Sequence, residues 1–166
     1  RYIVTPETAQ YRIFAWLRQP ILPDKNLIVI PRDDDTSFGI LHSRMHEVWA
    51  LRKGSDLQDR PRYTHTSTFS TFPFPKGLSF DVDAKVYALD PIAKQIGQAA
   101  AALNKLRENW LNPANLVDRV PEVVPGYPDR IVPKDDAAAK ALKTRTLTNL
   151  YNTRPAWLDH AHKALD

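Results

Sequence analysis

Fourteen prolines divide this chain of 166 residues into short segments. Four of them bound runs of β-branched and aromatic residues in the first part of the chain: Pro6, Pro20, Pro23 and Pro31. Because proline has no backbone N–H, it cannot lie in the middle of a paired strand, so strands are confined to the runs between prolines. The sequence therefore predicts three short strands, within 2–5, 11–17 and 26–30, that form a small sheet.

A helix is predicted after the third strand. The run Asp35-Thr36-Ser37 offers side chains that can cap a helix N-terminus, and apolar residues then recur at helical spacing from Phe38 onward. Lys53-Gly54 supplies a stop signal. We therefore expect one helix over residues 38–53, packed on the sheet.

The second half of the chain has a helical pattern. Asp90-Pro91 begins a long amphipathic segment that ends at Asn112-Pro113. Residues 114–133 are rich in proline and predict a loop, whereas 135–152 and 156–165 predict two further helices. The expected fold class is thus α+β: a small mixed β-sheet with a packed helix, followed by an α-helical subdomain. We expect a recognition domain over 1–76 and a C-terminal helical region over 77–166, whose last helix would continue past Asp166.

The charge balance is basic, with a net charge of +4. Residues 1–76 contain 11 Lys and Arg against 8 Asp and Glu, and residues 77–166 contain 12 against 11, so most of the excess lies in the first part. A basic face attracts phosphate, although an ordinary basic surface explains the charge equally well. With no long apolar run and no cysteine, the chain is expected to be a cytoplasmic protein without a membrane segment or a thiolate metal site.

Catalytic constellations are weak in this sequence. His42 and His46 have the i, i+4 spacing of a helical metal pair but lack a clear third ligand, so a packed or phosphate-facing pair is preferred and no metal is expected. Asp83-Ala84-Lys85 matches half of a restriction-nuclease motif. The matching Pro23-Asp24 lies too far upstream for one hairpin, so no catalytic residues are predicted.

The run Arg62 to Pro75 combines basic, hydroxyl and aromatic groups in one short stretch. Hydroxyl and guanidinium groups can bond phosphate oxygens or base edges. The Phe-Pro-Phe-Pro end cannot continue a helix and offers apolar area for packing on a core. This stretch follows the basic helix end at Arg52-Lys53, which favours contact with nucleic acid.

Five phrases spread over nearly the whole chain resemble, in the same order, the C-terminal part of class I S-adenosylmethionine-dependent DNA methyltransferases of the type IIL restriction-modification kind. They are 1–6 (RYIVTP), 28–32 (IVIPR), 38–46 (FGILHSRMH), 62–75 (RYTHTSTFSTFPFP) and 147–152 (LTNLYN). In that family a catalytic domain comes first, then a target-recognition domain, then a helical region. The resemblance implies that this chain comprises the last two parts.

The features needed for methyl transfer are missing from this stretch of sequence. There are only five glycines and no glycine-rich cofactor loop, and Asn112-Pro113-Ala114 lacks the second proline and the aromatic residue of the motif that holds a flipped adenine. The resemblance therefore implies double-stranded DNA and the protein's own N-terminal methyltransferase domain as partners. S-adenosylmethionine would be bound by that other domain, and neither a cofactor site nor catalysis is expected in this fragment.

The predicted DNA-binding residues are the basic, hydroxyl and aromatic groups of the recognition part: Arg32, Arg44, Arg52, Lys53, Arg60, Arg62, Tyr63, Thr64, His65, Thr66 and Thr68. Arg44 is equally compatible with a partly buried pairing role. An alternative function is a protein-interaction or scaffold module with an incidental basic surface, which a large exposed apolar patch would favour.

Overall fold

The computed structural model describes residues 1–57 and 60–166. Its main sheet has β1 (Tyr2–Pro6) at the centre, between β2 (Ala15–Leu17) and β3 (Leu27–Ile30). Ile3 pairs with Trp16 on one side and with Ile30 on the other. The α+β class is confirmed. Both pairings are antiparallel, so the expectation of a mixed sheet was wrong in that detail.

The helix predicted over 38–53 is two helices, α1 (Asp35–His42) and α2 (Arg44–Lys53). Ser43 separates them because its backbone is extended, with ψ of 150°. Its hydroxyl donates to the carbonyl of Ile40 at 2.8 Å and accepts from the N–H of His46 at 3.2 Å. One serine thus satisfies the end of α1 and the beginning of α2.

A second hairpin and a tight turn follow α2. Strands β4 (Ser55–Leu57) and β5 (Arg60–Arg62) pair antiparallel. A single turn of π-helix then covers His65–Phe69, with Thr64 as its N-cap. The next helices are α3 (Ala84–Tyr87) and α4 (Pro91–Leu111).

The loop predicted over 114–133 contains a hairpin of β6 (Val117–Val120) and β7 (Arg130–Pro133), so that prediction was wrong. The two strands lie at the ends of the interval and the prolines lie mostly between them. The single helix predicted over 135–152 is α5 (Asp136–Lys143) and α6 (Leu147–Thr153). They are separate because Thr146 is extended and its hydroxyl caps the N–H of Asn149 at 3.2 Å. The last helix, α7, covers Ala156–Lys163.

One core joins the sheet to the helices of the second half. Ile3 and Phe14 from the sheet region pack in one buried cluster with Leu103 of α4, Leu150 of α6 and Leu158 of α7. The division into domains at residue 76 stays a prediction. None of the helices in the described part of the chain, including the 21-residue α4, is long and apolar enough to cross a bilayer.

Helices α1 and α4 approach closely at Gly39. A Cβ at this position would lie 2.6 Å from Ile96 Cγ2 and 3.1 Å from Ala100 Cβ. Only glycine therefore permits this separation of the two helices. The contact fixes α1, and through it the start of α2, against the long helix.

Candidate DNA interface

Arg12 anchors the segment that carries the predicted contact residues. It is buried at 9% exposure and donates to the hydroxyl of Thr5 at 3.1 Å, to the carbonyl of Pro61 at 3.1 Å and to the carbonyl of Pro6. Its guanidinium also lies 4.9 Å from the centre of the Tyr63 ring. Because these partners come from β1 and from β5, Arg12 holds the hairpin of β4 and β5 on the main sheet.

Backbone contacts extend this attachment. The N–H of Tyr63 donates to the carbonyl of Glu7 at 2.7 Å, and Arg62 forms an antiparallel bridge with Thr8. Gly54 lies so close to β5 that a Cβ there would be 2.5 Å from the Arg62 carbonyl oxygen. The end of α2 and strand β5 are therefore packed backbone against backbone.

Helix α2 is tied to the same segment through a buried hydrogen bond. Nε2 of His46 lies 3.0 Å from the Tyr63 hydroxyl, and Nδ1 lies 2.8 Å from the carbonyl of Leu41. Burial lowers the pKa of His46 to about 4, so the ring is neutral at physiological pH. Its Nδ1–H then donates to Leu41, and Nε2 accepts from Tyr63.

Seven of the predicted residues surround this framework with their side chains exposed: Arg44, Arg52, Lys53, Arg60, Arg62, His65 and Thr66. We call this set the basic surface. Helix α2 and the π-helical turn are in direct contact, and the Trp49 indole N–H donates to the Thr71 hydroxyl at 3.3 Å. Basic groups from helix α2, strand β5 and the turn are thus carried by elements that pack against one another.

Two residues of the basic surface also make contacts within the protein. Arg62 donates from Nε to Glu7 Oε1 at 2.6 Å, and Lys53 Nζ lies 5.2 Å from the centre of the Trp49 ring. Exposed ion pairs contribute little to stability, so Arg62 can exchange Glu7 for another anion at low cost. No ion pair in the described part of the chain includes Arg44, Arg52 or Arg60.

The other four predicted residues have internal roles. Tyr63 and Thr68 are fully buried, and the Thr68 hydroxyl donates to the carbonyl of Thr64 within the turn. Thr64 caps that turn by accepting from the N–H of Ser67 at 3.2 Å. A buried side chain offers no surface to a duplex in this conformation, so Tyr63 and Thr68 are left out of the basic surface.

Arg32 is turned toward the second half of the chain. Its guanidinium donates to Asp34 Oδ2 at 3.1 Å, to the carbonyl of Val82 at 2.8 Å and to the Tyr87 hydroxyl. With its side chain 13% exposed, it holds the segment before α3 against the loop after β3. The structure therefore gives Arg32 a packing role.

His42 and His46 are packed residues. The Nε2 atom of His42 lies 3.2 Å from the N–H of Phe14 and 3.0 Å from Nη1 of Arg107. Both histidines make their hydrogen bonds to protein groups. Among residues 1–57 and 60–166 no cluster of three or more His, Asp or Glu side chains is arranged to hold a metal ion.

Arg12 and Arg107 are important residues that the sequence predictions missed. Arg107 occupies a position in the apolar stripe of α4, four residues after Leu103 and seven after Ala100, where a buried residue is expected. That spacing was the available signal for Arg107. Arg12 lies in an irregular stretch and had none.

An apolar groove of about 1100 Å³ adjoins the basic surface. It lies between α2, the beginning of α4 and the end of the chain, and Met45, Val48 and Ile92 expose apolar side chains there. Arg44, Arg52 and Lys53 also line it. The basic surface thus borders a surface suited to apolar contact.

Residues 3–76 match the family model of the MmeI target recognition domain. No protein in the curated set matches the chain significantly. The chain also matches the structure of the type IIL restriction-modification enzyme MmeI in complex with DNA, with a TM-score of 0.65 and 23% sequence identity.

That structural match covers 99% of this chain and 17% of the MmeI chain, so the sequence spans about a sixth of that enzyme. At this identity the match shows a common fold. Together with the family model, it confirms the resemblance predicted from the sequence. Residues 3–76 match the MmeI target recognition domain, and the whole chain has the fold of part of a type IIL restriction-modification enzyme.

Proposed function

We propose that this chain recognises a specific sequence in double-stranded DNA, as the recognition part of a methyltransferase in a restriction-modification system. The observation that carries the proposal is the basic surface, whose exposed cations lie on α2 and on β5, the strand that Arg12 connects to the sheet. The similarity to MmeI, which was solved with DNA, supports it. The mutual packing of these elements matters because base readout requires side chains in fixed positions.

Two kinds of contact are proposed within the basic surface. Arg52, Lys53 and Arg44 on α2 would neutralise backbone phosphates, because flexible exposed cations serve that purpose without base specificity. Arg60 and Arg62, on β5, would reach base edges, since arginine can donate two hydrogen bonds to guanine. His65 and Thr66 would extend this edge at the π-helical turn.

Catalysis is assigned to other parts of a longer protein. We propose that methyl transfer and the S-adenosylmethionine site belong to an N-terminal methyltransferase domain, and that this chain contributes binding alone. The whole enzyme would act on DNA in the cytoplasm.

DNA binding by the intact protein tests the proposal. Arg52→Ala should weaken binding to all sequences and reduce the slope of log affinity against log salt by about one, as loss of one phosphate contact does. Arg60→Ala should cost about 1–3 kcal/mol on the cognate site and relax specificity at one base. Lys105→Ala, which removes an exposed charge from α4 away from the basic surface, is the matched control.

Equal affinities and equal salt slopes for Arg52→Ala, Arg60→Ala and the control would show that the basic surface does not contact DNA. Selection of a cognate sequence from a random duplex pool should succeed with the unaltered protein. Failure of that selection would remove the recognition function itself.

The apolar groove favours a second, compatible function as a contact surface for protein. We propose that the protein's own methyltransferase domain docks there, because exposed apolar side chains beside basic ones suit a large interface. Met45→Glu should weaken association of separately produced halves, whereas Leu22→Glu, at an exposed apolar residue outside the groove, should not. Unchanged association of the Met45 variant would exclude the groove as the docking surface.

A further inference from the structure

A second cavity, of about 750 Å³, lies between β2, α4 and the segment before β7. It is distinct from the basic surface, because the two lie at opposite ends of β1. Arg1 and Leu17, which line the cavity, lie at the beginning of β1, where Leu17 pairs with Tyr2. Arg62 contacts Thr8, beyond the other end of β1. The two places are separated by roughly 20 Å of extended chain. We call this space the arginine cavity, after Arg1, Arg18, Arg107 and Arg119 in its lining.

Arg107 is an uncompensated buried cation in this lining. It is 3% exposed, and its partners are neutral: Nη2 donates to the carbonyl of Phe14 at 2.9 Å, and Nη1 lies 3.0 Å from Nε2 of His42. Its Nε has no partner, and no ion pair in the described residues includes it. A charge removed from water without a counter-ion is costly, so an anion brought near it is stabilised.

His42, the side chain bonded to Arg107, is neutral and does not offset the guanidinium charge. The Phe14 N–H and Arg107 both point to its Nε2, which therefore accepts, while Nδ1 donates to the carbonyl of Phe38 at 3.1 Å. Burial, and next the Arg107 charge, keep the pKa of His42 well below its usual value. The imidazole is therefore neutral and leaves the guanidinium charge intact.

The remaining arginines add positive charge at the cavity wall. Arg18 is exposed and is not part of an ion pair among residues 1–57 and 60–166. Arg119 is bound to Glu108 at 2.8 Å, and Arg1 is bound to Asp35 at 3.0 Å. Glu108 and Asp129 are the acidic residues of the lining, so the four arginines exceed the acids.

A further unsatisfied donor lies in the same lining. The indole N–H of Trp16 is buried without a partner. Phe38 stacks on this ring with 4.8 Å between ring centres, and the Arg1 guanidinium lies 3.9 Å from the ring centre. Trp16 thus adds a second buried donor without a partner beside Arg107.

We propose that the arginine cavity binds a phosphate group. Guanidinium groups donate in a planar fork that fits phosphate oxygens, and the lining combines the exposed guanidinium of Arg18 with the buried charge of Arg107. The cavity is larger than one phosphate, so the group belongs to a nucleotide or to the backbone of a DNA strand. Exposed Tyr127 in the lining can cover the attached sugar or base.

Binding of inorganic phosphate to the intact protein, followed by calorimetry and by tryptophan fluorescence, tests the site. Arg18→Ala should weaken phosphate binding about tenfold, the usual effect of losing one charge-assisted hydrogen bond. Arg18→Lys should retain part of the affinity. Lys105→Ala removes the same charge from the surface of α4 outside the cavity and should have no effect.

DNA binding by the same variants separates the two sources of phosphate. If the group belongs to a DNA strand, Arg18→Ala reduces the salt slope of duplex binding by about one. If it belongs to a free nucleotide, that slope is unchanged and a nucleoside monophosphate competes with inorganic phosphate. The proposal is overturned if Arg18→Ala matches Lys105→Ala in phosphate affinity and in salt slope. Absence of DNA binding by the unaltered protein would refute only the function proposed above.

Discussion

Arg12 Nη2 donates a hydrogen bond of 3.1 Å to the carbonyl of Pro61, a residue 49 positions later in the chain. Nη1 of the same guanidinium bonds Thr5 of β1. A single buried side chain therefore connects the central strand of the sheet to the strand that carries Arg60 and Arg62. The position of Arg60 and Arg62 relative to the sheet depends on this connection.

Replacement of Arg12 by methionine keeps most of the side-chain volume and removes the hydrogen bonds. We expect the free energy of unfolding to fall by about 2 kcal/mol or more, because buried carbonyl groups lose a charged donor. Urea denaturation measures this change. Arg12→Lys keeps the charge but has no planar guanidinium, so its free energy of unfolding should lie between those of the unaltered protein and Arg12→Met. An unchanged free energy of unfolding in Arg12→Met would show that the hydrogen bonds of Arg12 do not stabilise the protein.

Stability should decrease as the pH falls from about 6.5 toward 4, partly because of His46. The folded-state pKa of about 4 lies below the ordinary value of 6.5, so the unfolded chain binds the proton more readily within this window. The contribution of His46 to the free energy of unfolding is complete above pH 6.5 and is lost as the pH falls. The total loss is at most on the order of 3 kcal/mol. We call the decrease of stability below pH 6.5 the acid limb. His46→Gln should make this decrease smaller when the free energy of unfolding is measured by denaturation at a series of pH values.

The exposed His160 provides the control for that experiment. His160→Gln should retain the acid limb of the unaltered protein. An identical pH profile for His46→Gln and the unaltered protein would contradict the assignment.

Tyr63→Phe removes one hydroxyl and keeps the ring that packs against Phe14. The expected cost is about 1 kcal/mol of stability, because Nε2 of His46 loses its donor. DNA affinity should stay within about twofold of the unaltered protein, since a buried hydroxyl makes no contact with a duplex. A large loss of DNA affinity at unchanged stability would show that Tyr63 contributes to DNA binding after all.

Gly54→Ala should displace β5 from the end of α2. The new Cβ would lie 2.5 Å from the Arg62 carbonyl oxygen and 2.8 Å from that of Ala50, and neither backbone atom can move alone. We expect a loss of about 1–3 kcal/mol of stability together with weaker DNA binding. Gly77→Ala is the comparison, because Gly77 has a φ of +80° but open space around it. That variant therefore tests backbone strain alone, whereas Gly54→Ala tests the steric collision. Wild-type affinity in Gly54→Ala would show that the position of β5 is unimportant.

Local signals predicted the elements that depend on local rules. Pro6 and Pro31 marked the ends of β1 and β3, but the strand predicted over 11–17 covers only Ala15–Leu17, and Pro61 lies within β5. Asp90-Pro91 correctly marked the beginning of α4, where the Asp90 side chain accepts from the N–H of Ala93 at 2.9 Å. The break at Ser43 was missed because an apolar pattern ran across it. Its capping side chain was visible in the sequence, as was that of Thr146.

Burial was harder to predict than exposure. The exposed cations Arg52, Lys53 and Arg60 were predicted from their clustering alone. Tyr63 has polar neighbours in the sequence, which is typical of an exposed residue. It is buried in the core because it contacts His46 and Arg12, which are distant in the sequence. Arg32 is drawn inward in the same way by Val82 and Tyr87, 50 and 55 positions away.

The core shared by Phe14, Leu103, Leu150 and Leu158 limits how residues 1–76 can be exchanged between homologous proteins. A graft of residues 1–76 alone would leave the buried faces of α4, α6 and α7 against foreign side chains. Under the DNA recognition proposed above, a change of target site is therefore better made by substituting exposed residues on β5 and the π-helical turn, or by transplanting the chain from β1 through α7 as one piece.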